Sequence, residues 1–326
     1  MILIWFALVA TVAGATGWFL GRMFQSRNYV GFSSPIRKGG TGLVNPLLVC
    51  ARDDVSSINN GVQAVIQKAV NAEIEKGDIT ASSVYYRRFL DNSWALLNGD
   101  ETYYPASLNK VPLMIAYYNW VEETDAPLTK NIYFPSGYDD NLQQEVQPQH
   151  PILPGRSYTA AELIDAMIKD SDNNATLLLF SSIDQNALGK VFGDLHVPFL
   201  APGQSPVNYM NVSSYAFFFR VLYNGTYLSH ADSERVLDLL SQTTFNDGLV
   251  AGVPAGITVA HKFGLVSVAP NNTVVTAREL HDCGIVYATN QNPYLLCVMT
   301  KSTGTLQGAE RAIANVSRAV YQYITK

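Results

Sequence analysis

The sequence predicts a two-lobed α+β protein: an antiparallel five-stranded sheet flanked by the first and last helices of the body, plus an all-helical lobe inserted between strands two and three. Three observations carry this. The patterns run helix, two strands, helical block, three strands, helix, so strands from both ends of the chain can join one sheet. The chain has 326 residues, long enough for a large core. Only 15% of them are charged, well below the roughly 25% of an ordinary domain, which points to a well-filled interior. Repeats and low-complexity runs are absent, which excludes collagen, coiled coil and a disordered tail. A net charge of -5 argues against a nucleic-acid partner, which calls for a basic face.

Residues 1–24 read as a membrane anchor or signal segment. Met1 to Gly21 carries no charged side chain and would span about 31 Å as a helix, close to the hydrocarbon thickness of a bilayer. Trp5, Trp18 and Phe19 lie near its ends, where amphipathic rings favour the interface. Ala13-Gly14-Ala15 has the small-x-small form of a cleavage site, so a cleaved leader is the competing reading. An uncleaved anchor is favoured, because the apolar run continues past that cut. Arg22, Arg27, Arg37 and Lys38 all follow the span, and by charge alone the body would face the cytoplasm. Residues 25–52, rich in Gly, Ser and Pro, read as a linker lifting the body off the membrane.

Residues 53–326 form the body, with 53–105 and 250–326 as the sheet lobe and 106–249 as the helical lobe. Val55, Ile58, Val62, Val65, Ile66, Val70 and Ile74 recur at helical spacing from Asp53 to Glu75. Val84 to Leu90 and Ser93 to Leu97 read as paired strands. Helices follow over Ser107–Glu123, Thr159–Lys169, Asn173–Ser182, Val212–Tyr223 and Ala231–Leu240. The third strand runs over Thr258–Val266, the fourth over Val274–Ala288 with a break, and the last over Tyr294–Thr300, before a closing helix from Leu306 to Ile324. Thr159 and Glu162 form a capping box that fixes one helix start. Cys50, Cys283 and Cys297 show no C-x-x-C spacing and imply no metal site. Pairing around the turn at 289–293 places Cys283 near Thr300 and Cys297 near Val286, so two buried thiols are expected.

Three short motifs carry the chemistry. Ser107-Leu108-Asn109-Lys110 lies in the first turn of a helix, so Ser107 and Lys110 share a face. A serine hydroxyl needs a base to become nucleophilic, and a lysine serves when burial and a helix N-terminus lower its pKa. Pro112 lacks the N–H that would bond the Leu108 carbonyl, so this turn is expected to be irregular. Ser171-Asp172-Asn173 sits at a seam between two helices, where alone it would read as an N-cap. Lys262-Phe263-Gly264 lies within a strand, where a lone lysine would read as an edge charge.

In this order, at separations of 64 and 91 residues, S-x-x-K, S-D-N and a K-T-G variant resemble the class A β-lactamase-like serine hydrolases, the superfamily of serine β-lactamases and penicillin-binding proteins. The resemblance extends over about Asp53 to Lys326. It implies a β-lactamase/transpeptidase-like fold without a cofactor. Ser107 would be the acylated nucleophile, Lys110 a proton acceptor bonded to it, and Ser171 the relay to the leaving nitrogen. Lys262 would supply charge near Ser171 and the substrate carboxylate, while Asn173 would hold Lys110 and the substrate amide. Backbone N–H groups of Ser107 and Leu265 would form the oxyanion hole, and Gly264 would let the strand approach the ligand. The implied partners are a β-lactam or a peptidoglycan stem peptide, which places the body outside the membrane despite the charge order.

Two departures bear on turnover. The family's β-lactamases carry a water-activating glutamate about 36 residues after the S-D-N serine, and Gln185 to Asn208 contains none; its one acid is Asp194. Phe263 replaces the usual Thr or Ser, and is expected to stack on a bulkier group. Acylation without efficient deacylation follows, the profile of a penicillin-binding protein or D-Ala-D-Ala peptidase; a non-turnover binding module is the remaining alternative. His281-Asp282 suggests a triad only weakly, and Asp139-Asp140 with Glu145 reads as a solvated turn.

Overall fold

A computed structural model describes residues 36–37, 42–49, 57–124, 128–198, 208–269, 275–288 and 293–326. The apolar segment at 1–24 and Cys50 lie outside these. Among the described residues no helix is long and apolar enough to cross a membrane.

Two short strands, β1 (Ile36–Arg37) and β2 (Leu47–Val49), pair ahead of the body. Residues 42–46, expected to belong to a linker, are docked: Glu234 accepts the Leu43 and Val44 amides at 2.6 and 2.8 Å. Val44 is buried in the main core. Helix α1 (Asn60–Glu75) follows, capped by Asn59, whose side chain accepts from Val62 N. It starts later than its periodicity suggests.

The sheet comprises β3 (Ala81–Arg88), β4 (Trp94–Leu97), β7 (Thr258–Val268), β8 (Ala277–Tyr287) and β9 (Tyr294–Lys301), in the order β4-β3-β9-β8-β7, all antiparallel. Strand alternation sorts its side chains between two cores. Val84, Tyr86, Leu280 and Val298 pack with Val62 and Ile66 of α1 and with Ala312 and Val316 of α8 (Leu306–Ile324). Tyr85, Ile285, Leu295 and Met299 face the helical lobe. The first and last helices thus cover one face, as the element order requires.

The helical lobe is built around α2 (Lys110–Thr124), buried without interruption from Lys110 to Asn119. Such a helix belongs at a core's centre, not on its surface. A hairpin of β5 (Asn131–Phe134) and β6 (Arg156–Thr159) leads into α3 (Ala160–Lys169), whose Thr159–Glu162 capping box forms as expected. Then come α4 (Asn173–Ser182), α5 (Gln185–Asp194), α6 (Val212–Asn224) and α7 (His230–Ser241). Both the hairpin and α5 are additions to the sequence reading.

The cysteine expectation is overturned. The last rung between β8 and β9 is Val286–Tyr294, so Tyr287 and Ala288 run past it and every pair moves three positions. Cys283 and Cys297 become direct partners, 3.9 Å apart at Cα, and form a buried disulfide.

Candidate active site

Edge strand β7 and the turn entering α2 meet along a cleft between the lobes. That turn, Ala106–Asn109, is a short 3-10 helix rather than α-helix, because Pro112 has no N–H for the Leu108 carbonyl. Tyr215 Oη donates to that carbonyl instead, at 3.0 Å. Ala106, just before Ser107, has φ of +49°, and Ser171 has φ of +57°. Left-handed backbone at two non-glycine positions stores strain, a common feature of functional sites. Gly264 is required for close approach: a Cβ there would lie 2.6 Å from Pro105 O and 3.0 Å from Leu108 N. The glycine therefore serves contact between β7 and the serine turn itself.

Lys110 is fully buried at the foot of this turn. Its Nζ donates to Ser171 O at 2.6 Å, Ser171 Oγ at 3.0 Å and Asn173 Oδ1 at 2.8 Å. Burial, followed by repulsion from Lys262, pushes its pKa well below the ordinary lysine value, with Asp172 acting weakly the other way. Asp172 is committed to backbone: its carboxylate accepts Ala175 N at 2.8 Å and Ile152 N at 2.9 Å. The bonds of Lys110 go to Ser171 and Asn173 and not to Ser107, which corrects one sequence expectation. The lysine reaches inward toward three acceptors, while the serine faces the cavity.

Lys262 lies on β7, close enough to Lys110 for its charge to lower that lysine's pKa. Its Nζ donates to Phe263 O at 3.2 Å and lies 4.1 Å from the Phe263 ring centroid, with no bond to Ser171. Fully buried, its pKa falls to about 7, moderated by the Asp282 charge. The Phe263 ring is stacked on Phe245 at 4.2 Å and is 4% exposed, so it is not free to stack on a substrate as expected. His281 and Asp282 point to opposite faces, as strand neighbours must. Asp282 bonds His261 Nδ1 at 2.8 Å and Leu249 N at 2.8 Å, whereas His281 Nε2 meets Tyr104 O at 3.0 Å. They form no triad with Ser107.

A cavity of about 630 Å³ brings together Ser107, Lys110, Asn173, Phe263 and Leu265. It is also lined by Leu113, Leu177, Phe180, Leu188 and Phe192. Of the described carboxylates, Asp140 and Glu145 reach its wall. Asp194 does not; it is exposed, bonded to Lys190 at 2.6 Å and to Tyr227 Oη at 2.9 Å. Glu145 is exposed in its loop, as expected, but also bonds Arg278 and Ser267. No local pattern marks these contacts, because the partners lie over 120 residues downstream.

These features match a known group. The model of the Beta-lactamase enzyme family covers residues 64–324, and the chain belongs to that family, whose members are serine hydrolases acting on β-lactams. Solved structures with this fold include PBP-A, at 22% identity and a TM-score of 0.66, covering 82% of this chain and 97% of that one. A β-lactamase from Sphaerobacter thermophilus aligns at 23% identity and 0.65, covering 79% and 96%. The TLA-1 extended spectrum β-lactamase aligns at 18% and 0.67, covering 81% and 99%. Among curated protein sequences none matches.

Proposed function

We propose that the protein is a penicillin-binding serine acyl-enzyme: Ser107 opens the amide of a β-lactam or of a peptidoglycan stem peptide, and the resulting ester is released slowly. One observation carries this reading. A buried lysine of depressed pKa lies one turn from Ser107 and is already joined to the S-D-N motif, beside a cavity also lined by five apolar side chains. In the proposed reaction Lys110, as the free amine, takes the Ser107 proton as Oγ attacks the carbonyl carbon. Lys110 turns toward Ser107 as substrate binds, since catalytic hydrogen bonds often tighten only in the complex. Backbone N–H groups of Ser107 and Leu265 stabilise the oxyanion. Ser171 Oγ then passes a proton to the leaving nitrogen as the C–N bond breaks, and is reprotonated by Lys110. Lys262, in its charged form, attracts the substrate carboxylate.

Release needs an activated water. Leu113, Leu177, Phe180, Leu188 and Phe192 offer no base, and Asp194 points elsewhere. Glu145 on the wall is engaged by Arg278 and Ser267, so slow release supposes that Asp140, the other carboxylate there, does not activate the water. Loss of general-base assistance typically costs about 10²–10⁴-fold. An extracytoplasmic body, anchored by the apolar segment, fits this reading, because disulfides such as Cys283–Cys297 persist in oxidising compartments. Labelling with a fluorescent penicillin tests the assignment. A covalent adduct on the wild type and none on Ser107→Ala is expected; labelling that survives the substitution refutes Ser107 as nucleophile.

A further inference from the structure

The loop following the 3-10 turn Asp140–Gln143 belongs to the helical lobe and is stitched there. Asp139 Oδ1 accepts the Asn141 amide and Asn174 Nδ2, at 2.9 and 2.8 Å. Asn174 Oδ1 accepts Asp140 N at 2.8 Å, and Asn141 Oδ1 accepts Asn173 N at 2.7 Å. From this fixed base Glu145 reaches across the cleft to the other lobe. Arg278 Nη2 donates to its Oε1 at 2.7 Å and Arg278 Nε to its Oε2 at 2.9 Å, while Ser267 Oγ donates to Oε2 at 2.6 Å.

Arg278 is just as firmly held. Its Nη1 donates to Gly304 O at 2.7 Å, and its backbone exchanges two hydrogen bonds with Ser302. A two-point guanidinium–carboxylate contact fixes direction as well as distance. The side chains are only 13% and 26% exposed, so salt screens them less than a surface pair. Arg278 holds the Glu145 carboxyl below its ordinary pKa, which keeps the pair charged at neutral pH. Glu145 and Ser267 both line the cavity that contains Ser107, so the contact is part of its rim.

We propose that Glu145 and Arg278 form a clasp across this rim that selects substrates by acyl-group size: compact groups enter with the clasp closed, and bulky groups require it to part. The inference rests on the acylating role proposed above and adds a specificity determinant far in sequence from every motif.

The test measures second-order acylation rate constants, by intact mass, for 6-aminopenicillanic acid and for a penicillin bearing a dimethoxyphenyl acyl group. In Glu145→Ala and in Arg278→Gln the ratio of bulky to compact rates rises about tenfold. The reversed pair, E145R with R278E, brings the ratio back toward wild type, as coupled partners do. Ratios within twofold of wild type in both single variants, or a reversed pair that behaves like the singles, overturn the clasp. If neither penicillin acylates the wild-type protein, the functional reading falls, and the clasp is judged by amide hydrogen exchange alone. Faster exchange at Val266, Ser267 and Val268 in Glu145→Ala than in wild type then sustains it, and equal exchange overturns it.

Discussion

The cleft is lined by two sets of side chains that differ in kind. Around Lys110 the polar groups are matched: the amine meets Ser171 and Asn173 at 2.6–3.0 Å, and Asp172 is bonded to two backbone amides. In the second set, five apolar side chains line the same cavity. Making an acyl bond requires a nucleophile and a proton relay, which the first set contains. Breaking it requires a base beside a water, which the five apolar side chains do not supply. In the proposed reading, this difference in composition is what separates the two half-reactions.

The sharpest way to break this contrast is within the polar set. Lys110→Met should lower the acylation rate constant by about 10²–10⁴-fold, measured by penicillin labelling kinetics. A loss below tenfold would show that another group takes the serine proton. Next, a carboxylate placed in the apolar lining should blur the difference. Leu177→Glu, at a position 38% exposed, should speed release of the adduct by at least about tenfold, short of the full range for a positioned base. An unchanged adduct lifetime would mean that the apolar lining does not limit release. The remaining effect concerns stability. The Lys262 pKa falls from 10.5 to about 7, so between these values the unfolded chain holds a proton that the folded protein lacks. Stability therefore rises with pH across that window, by at most about 1.4 kcal/mol per pH unit from this group. Denaturant midpoints between pH 7 and 10 should show this slope, reduced in Lys262→Met.

Much of this was legible in the sequence, for local reasons. Pro112 announced the irregular turn and the stranded Leu108 carbonyl, though not that Tyr215, 107 residues away, would satisfy it. Thr159 and Glu162 fixed a helix start because a capping box is complete within four residues. Ser107, Lys110, Asn173 and Phe263 converged on one cleft while Ser171 and Lys262 lie buried behind it, because side-chain direction could not be read from spacing. Lys110 turned to the seam at Ser171, and Lys262 lay over its own neighbour Phe263. Strand register failed at Cys283 because it depends on where pairing stops, which hydropathy does not mark. Helix α5 was missed because Gly189 and Gly193 weaken its propensity and its core contacts are few: Leu188, Val191 and Phe192. Glu145 looked like any loop acid until the fold brought Arg278 to it.

The most direct test of the central claim is the lifetime of the Ser107 adduct after excess penicillin is removed, followed by intact mass spectrometry. An ester that persists for hours on the wild-type protein, mapped to the peptide containing Ser107, is the expected result. Complete return to the unmodified mass within seconds would contradict it, because a base able to activate water would then have to reach the apolar lining of the cleft.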